Sequence, residues 1–149
     1  MAHLVYFPAE TLKEKAETAK SLKTNNIEWQ KLTIYRLIKL CKELGSKYTR
    51  SKVRKKLPSA YAYAIDELLN VDIGDRDKKK YYNEIINSIT EADAGNEFIS
   101  VLCVLAQRLA VDKLHIIGDI YDRGPRADII MNELIAFPDV DVQWGNHDI

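Results

Sequence analysis

Two short apolar runs, each ended by glycine and each followed by side chains able to bind metal, constrain this chain more than any other feature. The first is Leu114-His115-Ile116-Ile117-Gly118-Asp119-Ile120-Tyr121-Asp122-Arg123-Gly124-Pro125. The second is Val140-Asp141-Val142-Gln143-Trp144-Gly145-Asn146-His147-Asp148. Between them, Ala127 to Phe137 carries Ile129, Ile130, Leu134 and Ile135 at helical spacing. Strand, helix and strand in that order imply a parallel pair joined by a right-handed crossover. Sheets of this kind place ligands just beyond the C-terminal ends of their strands. Both polar clusters fall there.

Everything before Val111 reads as helix. Met1 to Phe7 is a short apolar lead-in, and Pro8 opens a charged helix running to Lys23 with Ala16, Ala19 and Leu22 as its small stripe. Thr24-Asn25-Asn26 breaks it. A second helix spans Glu28 to Leu44, with Leu32, Tyr35, Leu37, Ile38 and Cys41 at helical spacing and Gly45 as a natural C-cap. Pro58 starts a third, Ser59 to Asn70, with Tyr61, Ile65, Leu68 and Leu69 on one side. After a connection from Val71 to Asp77 containing Gly74, Lys78 to Thr90 is amphipathic through Tyr82, Ile85, Ile86 and Ile89. Asn96 is a good N-cap for a last helix to Ala110, with Phe98, Leu102, Leu105 and Leu109 inward. The expected class is therefore α/β: a helical segment over 1–110, then a βαβ unit over 111–149.

Charge narrows the functional classes. Lys plus Arg and Asp plus Glu are both 22, so the net charge is zero and no global attraction to nucleic acid or anionic membrane is expected. The densest basic run, Lys47 to Lys56, has two readings: an anion site for a sugar phosphate or nucleic acid, or a solvated helix face. Regular interleaved aromatics are missing, which favours the solvated face over nucleic acid. Cys41 and Cys103 sit in apolar helical stretches without a C-x-x-C pair, as expected for reduced, buried thiols of a cytoplasmic protein. No apolar run approaches the length of a membrane span.

The clusters themselves suit phosphate-ester hydrolysis. That reaction needs an activated water, positive charge on the phosphoryl oxygens, and a proton for the leaving oxygen. Two hard divalent ions roughly 3.5–4 Å apart supply the first and part of the second. Asp119 is the candidate bridging carboxylate and Asn146 offers an amide oxygen to one ion. The mixed donor set suits Mn²⁺, with Mg²⁺ or Fe²⁺ less favoured. Arg123 gives a planar fork for phosphate oxygens. His147 is placed to protonate the leaving oxygen, with Asp122 as the carboxylate that holds the imidazole. Gly124 and Pro125 shape the turn, and Gly145 allows close backbone approach. His115 belongs to the strand and reads as structural; His3 receives no role.

Gly118-Asp119-Ile120-Tyr121-Asp122-Arg123-Gly124 with Gly145-Asn146-His147-Asp148 resembles the calcineurin-like metallophosphoesterase superfamily. Lys47 to Lys52, Gln107-Arg108-Leu109, Val111-Asp112, Leu114 to Pro125 and Val140 to Trp144 resemble, more narrowly, the class III fructose-1,6-bisphosphatases, over nearly the whole chain. The resemblance implies a metallophosphoesterase sandwich fold, Mn²⁺, and removal of the 1-phosphate of a small sugar bisphosphate, fructose 1,6-bisphosphate. It implies the roles given above for Asp119, Asn146, Arg123, His147 and Asp122. It also implies an Asp-x-His motif before this region, after the first strand of the family's sheet, and two later histidine ligands from C-terminal strands. The histidines here are His3, His115 and His147, and Asp112 with His115 has the wrong spacing. The expectation is thus an internal piece of a longer enzyme, its helices inserted between metal motifs, inactive alone. Two alternatives stand beside it. One is another metallophosphoesterase, a protein phosphatase or dinucleoside-polyphosphate hydrolase. The other is a non-catalytic helical module that binds anions or a partner.

Overall fold

The computed structural model describes residues 1–22, 26–71, 76–122, 124–137 and 139–146. Lys23, Thr24, Asn25, Gly74, Arg123, His147 and Asp148, which figure in the sequence reading, lie outside the described residues. The described order is α1 (Ala2–Tyr6), α2 (Pro8–Leu22), α3 (Ile27–Gly45), α4 (Arg50–Lys56), α5 (Ala62–Asn70), α6 (Arg76–Glu91), α7 (Gly95–Ala110), β1 (Leu114–Ile117), α8 (Ala127–Ala136) and β2 (Val140–Gln143). The protein is thus mostly helical with a two-stranded parallel sheet, α/β overall. It divides into two compact units, Met1–Ala110 and Val111–Ile149.

The helical unit is built on α3 against α7, its most extensive helix contact. From α7 the side chains of Phe98, Ile99, Leu102, Cys103, Leu105 and Leu109 are wholly buried, and Ile34, Leu37, Ile38 and Cys41 face them from α3. Each large apolar side chain buried this way contributes about 1.5–3 kcal/mol. Ile65 and Leu68 of α5 and Tyr82 and Ile86 of α6 close the cluster. Burial pushes the Cys41 thiol up to about 12, with the Cys103 thiol adding to it, and pushes Cys103 up to about 11. Both cysteines are free.

Several local expectations need correction. Leu32 and Tyr35 lie on the exposed side of α3; Ile34 and the polar Gln30 and Thr33 occupy its buried side. Leu22 of α2 is exposed. Met1 to Phe7 is not a lead-in but mostly helix: Leu4 and Val5 are buried, and the Gln107 amide donates to the Val5 carbonyl. Gly45 is the buried last residue of α3, followed by Ser46 in a right-handed conformation, so it caps nothing in the left-handed manner. Asn96 lies inside α7, and its side-chain oxygen accepts from the Gln30 amide at 2.9 Å. A left-handed cap falls instead at the end of α6, on Asp93 (φ 57°). Asp93 N–H donates to the Thr90 carbonyl and Ala94 N–H to the Ile89 carbonyl, at 3.3 and 3.1 Å, the paired bonds of a Schellman ending. α5 begins at Ala62 because Tyr61 is also left-handed (φ 60°). Its ring meets Phe98 edge-on at 5.2 Å and its hydroxyl donates to Glu97 at 3.0 Å.

The basic run forms α4, started by Thr49, whose hydroxyl oxygen accepts from Lys52 N–H at 3.3 Å. Most of this helix is exposed, as a solvated face would be, and its flanks also hold the end of α7. Lys56, Tyr48 and Lys47 donate to the carbonyls of Arg108, Leu109 and Ala110 at 3.1, 3.2 and 3.2 Å. Those are the last carbonyls of α7, which have no partner within the helix and carry its negative dipole end. The ammonium groups of Lys47, Lys52 and Lys56 lie 5.0, 5.0 and 5.4 Å from the Tyr48 ring centre. Arg50 and Arg54 both reach Asp66, at 3.2 and 3.7 Å.

Candidate metal centre

In the second unit, β1 and β2 are parallel, with Leu114 opposite Val140, His115 opposite Asp141, Ile116 opposite Val142 and Ile117 opposite Gln143. Leu114 N–H donates to the Asp139 carbonyl at 3.0 Å where the ladder begins. One sheet face therefore carries Leu114, Ile116, Val140 and Val142; the other carries His115, Ile117, Asp141 and Gln143.

Directly beyond the strands the two chains converge. Gly118 (φ 65°) and Asp119 (φ 56°) are consecutive left-handed residues. Glycine adopts this freely and aspartate tolerates it better than most residues. A side chain at Gly118 would fall onto the backbone of Gly145 and lie 2.7 Å from the Trp144 carbonyl carbon. One at Gly145 would fall on the Asp119 carboxylate oxygen Oδ1 and backbone nitrogen, and lie 2.8 Å from its Cγ. Both glycines are thus required by contact, and the Asp119 carboxylate lies over Gly145, the residue before Asn146. Asp119 and Asn146 are exposed and Asp122 is half-buried.

This brings Asp119 to the start of the Gly-Asn-His-Asp cluster. The Asp122 carbonyl accepts from Gly124 N–H at 2.7 Å. Arg123 and His147 lie outside the described residues, so no distance to them enters the site. Arg126, which the sequence reading passed over, is left-handed at the start of α8. It forks onto Asp128 through Nε and Nη2 at 3.0 and 2.9 Å. Asp128 consequently sits below the usual carboxylate range, held there by the guanidinium. With its fork occupied, Arg126 is poorly placed to bind a phosphate.

In kind, the donors present fit a hard divalent ion: a carboxylate and an amide oxygen at adjacent strand ends, with glycines that remove steric obstruction. In number they supply part of a shell. Among the described residues no group of three or more His, Cys, Asp and Glu gathers closely enough to hold a metal. His115 is confirmed as a strand residue; its Nδ1 lies 3.2 Å from Asp141 Oδ2 across the ladder.

Fold and site define an α/β protein whose polar side chains collect where two parallel strands end. The family model described as Firmicute fructose-1,6-bisphosphatase matches residues 1–149, and the chain belongs to that family. It is 54% identical over 150 residues to a protein named fructose-1,6-bisphosphatase class 3 of Clostridium botulinum (strain Hall). It is 51% identical over 149 residues to the protein of the same name in Clostridium acetobutylicum. Both comparisons cover 100% of this chain and 22% of the relative. The chain therefore spans 22% of the length of these curated relatives. No solved structure matches the chain. Among the described residues no helix is long and apolar enough to cross a membrane.

Proposed function

We propose that this chain is the middle part of a metal-dependent fructose-1,6-bisphosphatase of the metallophosphoesterase sandwich fold, acting in the cytoplasm. The observation that carries the reading is the contact of Gly118 with Gly145, which seats the Asp119 carboxylate against Gly145, the residue before Asn146. Residues 111–149 then belong to the catalytic core, and 1–110 are a helical insertion between its metal motifs. Asp119 would bridge two ions, of which Mn²⁺ suits the donor set, and Asn146 would bind one of them. When bound, such a pair supplies an activated water and charge on the phosphoryl group. Arg123 holds phosphoryl oxygens through its fork. His147 gives its proton to the oxygen leaving the sugar, and Asp122 orients the imidazole and keeps it protonated. The substrate is fructose 1,6-bisphosphate, losing its 1-phosphate, as the relatives' names suggest. The remaining ligands would come from the rest of a protein of the relatives' length.

A purely binding helical module is less well supported, because Lys47 and Lys56 are engaged with α7 carbonyls and Arg50 and Arg54 with Asp66. The test is phosphate release by the longer protein and by residues 1–149, with Mn²⁺, from fructose 1,6-bisphosphate, a phosphopeptide and diadenosine tetraphosphate. The longer protein should hydrolyse the sugar bisphosphate preferentially, while residues 1–149 alone release almost none. Preference for either other substrate overturns the substrate assignment. Robust Mn²⁺-dependent release by residues 1–149 overturns the partial-site reading.

A further inference from the structure

The Gly118–Gly145 contact exists in only one strand register, and the apolar residues do not choose it. Leu114 and Ile116 on β1, and Val140 and Val142 on β2, share one face. A slip of two residues would preserve that apolar face, because side chains alternate with period two. It would also carry Gly145 about 6.6 Å along the strand, away from Gly118 and Asp119. The other face does discriminate. In the observed register one carboxylate, Asp141, lies 3.2 Å from His115 Nδ1 and 3.9 Å from Lys113 Nζ. A slip one way puts Asp141 opposite Ile117, with no cation facing it; a slip the other way puts Gln143 opposite His115 but Asp141 opposite Lys113, so this face discriminates against the first slip. His115 is charged in this pair only when protonated; Lys113 supplies fixed positive charge from the same strand.

We propose that His115 and Asp141 are positioning residues: their cross-strand pair holds the register that brings Asp119 against Gly145 by disfavouring the slip that faces Asp141 with Ile117. The inference rests on the metal-site reading for its functional meaning but not for its structural content. Neither residue touches the proposed site; each lies four positions before it on its own strand, His115 before Asp119 and Asp141 before Gly145.

Cysteine cross-linking in the full 149-residue chain reads the register. The pair Leu114→Cys with Val140→Cys lies directly opposite in the observed register. The pair Ile116→Cys with Val140→Cys comes within bridging distance only after the slip that faces Asp141 with Ile117. Asp141→Asn should raise the ratio of slipped to in-register cross-link about fivefold, the size expected of an exposed ion pair. An unchanged ratio overturns the proposal. Should Asp141→Asn abolish both cross-links, the exchanged pair His115→Asp with Asp141→His decides: return of the in-register product supports the role, and its absence overturns it. A second arm measures free Mn²⁺ by its paramagnetic resonance against the longer protein, where Asp141→Asn should weaken binding about fivefold. A register shift with unchanged Mn²⁺ affinity leaves the positioning role standing and removes the assignment of Asp119 and Asn146 as ligands.

Discussion

Among the described residues of 1–110, seventeen apolar side chains are buried in one cluster. Among the described residues of 111–149 only Leu134 is buried. Ile117, Trp144 and Ile135 are 78%, 78% and 77% exposed there. The helical part closes on itself because each amphipathic helix presents one stripe, and several stripes can face one another. The strand part cannot: two parallel strands have two faces and two open edges, and parallel sheets are ordinarily covered on both faces. The strand unit is the richer in Ile, Leu and Val, 12 of 39 residues against 27 of 110, yet its core is unfinished where that of the helical unit is complete. This contrast agrees with relatives of which the chain spans 22%.

The strongest attack on this contrast is a pair of truncations. Leu102→Ala should lower the unfolding free energy of residues 1–149 in urea by about 2–5 kcal/mol, whereas Ile117→Ala should change it by less than about 0.5 kcal/mol. Equal costs would show that the strand unit has a core of its own. Alkaline pH probes the helical unit next. Cys41 and Cys103 have folded-state values raised from 9.0 to about 12 and about 11. A raised value means the unfolded chain loses its protons first, so this stability is complete below pH 9 and is lost as pH rises towards 11–12. Denaturation at pH 8 and pH 10 should differ by about 2–3 kcal/mol from these two thiols, a difference that Cys41→Ala reduces.

In the strand unit the sensitive positions are glycines rather than apolar residues. Gly145→Ala should weaken Mn²⁺ binding by the longer protein tenfold or more, about 1.4 kcal/mol, without moving the urea midpoint of the helical unit. The smallest effect expected is a gain. Asp93→Gly, at a left-handed position in the helical unit, should raise stability by about 0.5–1 kcal/mol, read from the same urea curves.

Helix periodicity located α3, α5, α6 and α7 to within a few residues, and Phe98, Leu102, Leu105 and Leu109 were legible as core because their spacing holds for about three turns. The five residues of α1 are too few to show a period, so only the structure reveals Leu4 and Val5 as buried. On α3, Leu32 and Tyr35 match helical spacing as well as Ile34 does. Hydropathy alone does not say which side meets α7. Capping was misjudged where side-chain chemistry had another outlet: Asn96 serves Gln30, and the left-handed cap went to Asp93 rather than Gly45. For the site, the motif spacing indicated the parallel strands and placed both polar clusters beyond their ends; the contact of Gly118 with Gly145 is visible only in the structure. The pairing of His115 with Asp141 depends on register, which no single-strand pattern encodes.

The three side chains that hold the end of α7 have one further consequence. A helix normally leaves its last carbonyls to water or to whatever the chain does next, so its terminus inherits the disorder of its successor. Here Lys47, Tyr48 and Lys56 seal Arg108, Leu109 and Ala110 from within residues 1–110. The boundary at Ala110 is therefore a chemically finished edge: rearrangement of the segments after it, through mutation, insertion or recombination, need not unravel the helices before it.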